Sequence, residues 1–232
     1  MFGVKKALSY ILRWLYVFVV TFCAVYLTLH HLRQTTWYKN RLYHQLLTGA
    51  PAQQQRAATL LARLDGQDQL LAVLKCDNPA ARELGQRALE HLWLNAAGEQ
   101  AYQLVQSAYR AVEQKELTKA LSILNGVVQK YPKFAEGWNR RASVHWDLGD
   151  YDQSVSDSQR ALALNPNHYA AWQGLGLCRL QQGEIAEACR CLRSALKILP
   201  FDPATQGALR QCDSLLRRYP PPFKKTKNTT VI

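Results

Sequence analysis

Residues 161–200 read ALALNPNHYAAWQGLGLCRLQQGEIAEACRCLRSALKILP, and this stretch decides the fold. Its two prolines, Pro166 and Pro200, stand 34 residues apart, and Pro132 stands another 34 before them. Ala120, Ser154 and Ala188 precede the three prolines by twelve residues each. Leu124, Ser158 and Leu192 precede them by eight, and Val127, Ala161 and Ala195 by five. Trp138 and Trp172 keep the same period, with Leu104 at the earlier equivalent place, and Ala108, Ala142 and Gly176 follow four residues after each. Recurrence of small, large and proline residues at one period marks a repeat array.

The pattern predicts two antiparallel helices per unit. The small residues Ala108, Ala142 and Gly176 on the first helix, and Ala120 and Ala188 on the second, let backbones approach. Trp138, Leu175 and Leu192 fill the space between layers. Each proline follows a second helix because it cannot continue one. One such hairpin cannot bury its own apolar face, so neighbours must stack.

These residues resemble the tetratricopeptide repeat, with units over Ala101–Phe134, Ala135–His168 and Tyr169–Asp202. The stretch Ala135-Glu136-Gly137-Trp138-Asn139-Arg140-Arg141-Ala142 is similar to bacterial-type and plastid members of that family. Residues 203–219 read as a capping helix with Leu209, Leu215 and Leu216 turned inward. The second unit departs from the pattern with Arg141, Ser154 and Ser158, which predicts a looser core there. The resemblance implies an all-α fold, a right-handed α-solenoid of helical hairpins. It also implies a concave groove, lined by the first helices, that takes a partner peptide or helix. On the matching positions the groove residues are Tyr102, Val105, Tyr109, Glu136, Asn139, Arg140, Ser143, Trp146, Gln173 and Leu177. Asn139 and Arg140 suit a peptide backbone or a carboxylate, and Tyr102, Tyr109 and Trp146 suit apolar side chains. Members that clamp acidic chaperone C-termini carry basic and amide residues where this chain has Val105 and Tyr109, and bases where it has Ala170 and Gly174. That design is absent here.

Upstream, residues 34–98 keep helical spacing over 37–47, 53–64, 67–75 and 80–95, broken at Gly49-Ala50-Pro51, Asp65-Gly66 and Asp77-Asn78-Pro79. A 28-residue correspondence aligns Leu42 with Leu70, Leu46 with Leu74, Pro51 with Pro79, Leu61 with Leu89 and Leu64 with Leu92. Two leucine-rich hairpins that merely align are the alternative. Leu70-Leu71-Ala72-Val73-Leu74, followed by Asp77 and Arg82, resembles a HEAT repeat.

Residues 1–33 hold an uncharged run, Trp14–Leu29, extended by apolar residues from Ala7 to Leu12. Read over Leu8–Leu32, with Arg13 snorkelling, it predicts an uncleaved N-terminal transmembrane helix and a single-pass membrane localisation. Basic residues flank both ends, so the positive-inside rule does not choose a side. The six cysteines, too sparse for a disulfide scaffold, read as free thiols and prefer the cytoplasmic, reducing side. Residues 220–232, opening Pro220-Pro221-Pro222 and continuing through Lys224, Lys225 and Lys227, read as a disordered basic tail able to touch anionic lipid.

Charge separates these parts. The chain carries 29 Lys and Arg against 17 Asp and Glu, a net charge of +12 over 232 residues. Nearly all of that excess lies before Ala50 and after Asp213, leaving a near-neutral body without a phosphate-tracking stripe. Nucleic-acid binding is therefore not expected. Cys189 and Cys191 are two apart on a helix and point to different sides, so no metal site is expected. No phosphate-cradling loop or hydrolase motif occurs, and neither a cofactor nor an enzyme activity is expected. The functional expectation is a membrane-anchored adaptor that binds a protein through its groove. The alternative is a permanently bound accessory subunit or assembly factor of a membrane complex.

Overall fold

A computed structural model describes residues 2–218, and among them the fold is entirely helical. The chain forms two compact units, the first ending at Leu89 and the second beginning at Glu90. The basic tail of residues 220–232 lies outside the described residues.

The first unit comprises α1 (Phe2–Gln34), α2 (Thr36–Thr48), α3 (Pro51–Arg63), α4 (Gln67–Val73) and most of α5 (Pro79–Leu94). The prolines aligned at 28 residues, Pro51 and Pro79, both open a helix, where a missing N–H costs nothing. Leu42, Leu46, Leu61, Leu70, Leu74 and Leu89 are all buried. Gly85 lets α5 approach α4, since a Cβ there would meet Val73 Cγ1 at 2.7 Å.

The expected transmembrane anchor is corrected. Among the described residues no helix is long and apolar enough to cross a membrane. Trp14, Phe18, Phe22 and Tyr26 of α1 are exposed, and the first buried apolar side chain among the described residues is Leu42 of α2.

The second unit stacks three hairpins: α6 (Glu99–Glu113) with α7 (Leu117–Lys130), α8 (Ala135–Asp147) with α9 (Tyr151–Leu164), and α10 (Tyr169–Gln181) with α11 (Ile185–Ile198). A last helix, α12 (Pro203–Arg218), packs on α11. The turn inside each hairpin is closed at one register. Lys115, Gly149 and Gly183 adopt left-handed φ of 61°, 81° and 78°. The next residue's N–H reaches back five positions in each case: Glu116 to Ala111, Asp150 to His145 and Glu184 to Arg179, at 2.8–2.9 Å. This is the Schellman closure, which favours glycine.

The small and large positions behave as their spacing requires. Ala108, Ala142, Ala120, Ala188, Leu124, Leu192, Val127, Ala161 and Ala195 are buried. At Gly176 a Cβ would sit 2.8 Å from Leu192 Cγ and 3.3 Å from the Ala188 carbonyl, so α10 and α11 touch through the missing methyl. Ser154 occupies an alanine position without leaving a stranded hydroxyl. It donates to the Ala142 carbonyl at 2.8 Å and accepts from the Cys178 thiol at 3.1 Å. Ser158, also buried, has no such partner. In the cap, Leu209 and Leu216 pack against Ala188, Cys189 and Leu192, whereas Leu215 is outside that cluster and the innermost side chain is Cys212.

Candidate partner-binding groove

The residues that the repeat resemblance assigns to the groove lie on α6, α8 and α10. Their accessibility divides them. Tyr109 is 51% exposed and Ser143 is also open, while Tyr102, Trp146, Gln173 and Leu177 are half-buried. Val105 packs into the core of the first hairpin. Glu136 and Asn139 are only 4% and 6% exposed. Trp146 stacks at a tilt on Tyr151, with ring centroids 5.1 Å apart, and Gln173 donates to Asp202 at 3.3 Å. Ser143 bonds its own helix at the Asn139 carbonyl.

Glu136 is the centre of a buried polar cluster. Its Oε1 accepts from Arg140 Nε at 2.5 Å, and its Oε2 lies 2.7 Å from His168 Nε2. His168 caps α10, its Nδ1 accepting from the Ala171 N–H at 3.3 Å. With Nδ1 accepting, Nε2 carries a ring proton and donates it to the Glu136 carboxylate. Burial pushes the Glu136 carboxyl up, but the hydrogen bond from His168 and the charge of Arg140 outweigh it and hold it at about 2. Glu136 is thus ionised and paired. The side chain of Arg140 remains 38% exposed and carries the cationic end of the group to the surface.

Three further residues, Trp93, Tyr169 and Glu90, adjoin this cluster, and periodicity did not disclose them. Trp93, in the last turn of α5, lies nearly flat on the His168 ring, with centroids 4.9 Å apart and planes at 22°. It also packs on Tyr169 at 5.6 Å, and the Tyr169 hydroxyl donates to Glu90. Trp93 is 5% exposed. Leu94 and Ala97, just after it, pack against the core of the first repeat. One aromatic at the end of α5 thereby rests on the start of the third repeat.

The adjacent Arg141 points elsewhere, as neighbours on a helix must. It forms a bidentate pair with the buried Asp157 on α9, two bonds of 2.7 Å, and a third bond of 2.9 Å to Asn125 on α7. Its guanidinium also lies 4.9 Å from the Trp138 ring centroid. That pair ties three helices together and is structural. Two surface cavities, of about 430 and 310 Å³, are lined by Gly149–Gln153 with Gln182 and by Ala96, Ala97 and Tyr131–Phe134. Neither includes a groove residue. Among the described residues no group of three His, Cys, Asp or Glu side chains is placed to hold a metal ion.

Comparison with known proteins agrees with this architecture. Residues 139–203 match the family model for the tetratricopeptide repeat. A TPR repeat-containing protein of Rhizobium etli is 32% identical over 103 residues, covering 44% of this chain and 50% of the relative. The small glutamine-rich tetratricopeptide repeat-containing protein 2 of Saccharomyces cerevisiae is 27% identical over 109 residues, 47% of this chain and 31% of the relative. The chain thus spans half or less of these two relatives. Among solved structures, the first TPR domain of Spaghetti (RPAP3), bound to an HSP90 peptide, superposes with a TM-score of 0.50 at 21% identity. It covers 50% of this chain and 93% of its own. The Sgt2 TPR domain of Aspergillus fumigatus gives 0.50 at 18% identity over 56% of this chain and 89% of its own. At these identities the structures speak for the fold.

Proposed function

We propose that the second unit is a protein-binding scaffold whose first-helix face takes a peptide or helix from a partner. The observation that carries the reading is the row of open side chains along that face: Tyr109, Ser143 and the half-buried Tyr102, Arg140, Trp146 and Leu177. Rigid aromatic anchors beside one guanidinium suit an amphipathic segment with a carboxylate or carbonyl acceptor. The HSP90 peptide bound by the RPAP3 domain supports peptide recognition as a use of this fold. The chain nevertheless has Val105, Tyr109, Ala170 and Gly174 on its first helices, so its ligand differs from an acidic C-terminus held between several bases.

The test is peptide selection from a random displayed library on the immobilised full chain, followed by titration of the selected peptide. Tyr109→Ala combined with Ser143→Arg, both at exposed positions, weakens binding at least tenfold. Unchanged affinity moves the site off this face.

A further inference from the structure

His168 is held at both ring nitrogens, by the Ala171 amide on one side and by Glu136 on the other. Its imidazole is therefore a fixed platform, and fixed platforms lose little entropy when a ligand stacks on them. Beside it stand the Tyr169 ring and hydroxyl. What rests on this platform is a single helical turn of the same chain. Glu90 and Trp93, three residues apart, share one face of α5, and each meets its own counterpart: carboxylate to hydroxyl, indole to imidazole. Although Trp93 is buried, Glu90 and His91 remain exposed along the outer edge of the turn. Asn95–Gly98 then leads into α6 through Gly98, whose φ is 85° and whose surroundings are open.

We propose that the His168–Tyr169 rim is a docking site for a partner helix bearing an aromatic side chain with a carboxylate one turn before it. The chain's own Glu90 and Trp93 hold the site until such a helix displaces them. The inference rests on the reading of the first-helix face as a protein-binding surface and names the chemistry of one end of that surface. The cis segment acts at high effective concentration, so a competing helix must exceed its contacts or add others along Arg140, Ser143 and Tyr109.

A labelled peptide of residues 84–97 is the probe, titrated by fluorescence anisotropy against the full chain. The Trp93→Ala chain, with the cis indole removed, binds this peptide at least tenfold more tightly than the wild-type chain does. The same peptide carrying Trp93→Ala does not bind it. A folded Trp93→Ala chain, judged by circular dichroism, that ignores the peptide overturns the proposal, as does equal binding by both chains. If Trp93→Ala does not fold, Glu90→Ala serves instead. Loss of the cis carboxylate alone loosens the cis segment while the His168–Tyr169 rim and the peptide's own Glu90 are unchanged, raising peptide affinity several-fold over wild type, and no change overturns the proposal. Failure here leaves a peptide selected at Tyr109 and Ser143 bound as before, so it is distinguishable from failure of the scaffold reading.

Discussion

The indole N–H of Trp172 donates to the carbonyl oxygen of Pro166 at 2.9 Å. Trp138 makes the same bond to Pro132 at 3.0 Å, and Gln206 makes it to Pro200 at 2.8 Å. One hydrogen bond thus recurs at each 34-residue step, from the first turn of one helix to the end of the preceding unit. Proline ends the second helix, and the side chain six residues later takes up its carbonyl. Replacing Trp172 by Phe keeps most of the ring and removes the donor. The expected loss is about 1 kcal/mol, read as a lower urea midpoint with the slope unchanged.

Lys115 occupies the left-handed position that Gly149 and Gly183 fill in the next two repeats. A side chain there costs roughly 1 kcal/mol relative to glycine. Lys115→Gly therefore stabilises the protein by about 0.5–1 kcal/mol in the same titration. Gly149→Ala and Gly183→Ala destabilise it by a similar or larger amount.

Gly176 sits where its neighbours in the repeat pattern, Ala108 and Ala142, carry a methyl. The Gly176→Ala methyl would press on the fully buried Leu192 and the Ala188 carbonyl. Overpacking of this kind costs about 1–3 kcal/mol, and thermal melting of Gly176→Ala shows the lower midpoint.

The Glu136 carboxyl is held at about 2, below its ordinary 4.5. Because the folded value is the lower one, the contribution is fully present above pH 4.5. It is lost progressively as pH falls from about 4.5 toward 2. The size is on the order of 3 kcal/mol. Glu136→Gln lowers stability at neutral pH and flattens its pH dependence across that window, as followed by denaturant titration at several pH values.

The repeat was legible because its signals are local and periodic. Pro132, Pro166 and Pro200 mark the ends of the second helices, and Ala108, Ala142 and Gly176 mark the close approaches. The bond from Trp138 and Trp172 to proline lay within reach of the same spacing. The Trp93–His168 contact was not legible, since it joins residues 75 apart that share no period and no motif. The family resemblance places Asn139 and Glu136 in a groove, and a matched position does not report that their surroundings are closed. The apolar stretch of α1 reads as a membrane span from its composition, but among the described residues no helix is long and apolar enough to be one.

Hydrogen–deuterium exchange of the full chain, with and without a peptide selected on it, tests the central claim most directly. Binding on the first-helix face predicts added amide protection in α6, α8 and α10, concentrated around Tyr109, Ser143 and Leu177. Protection confined to α7, α9 and α11 would contradict the account.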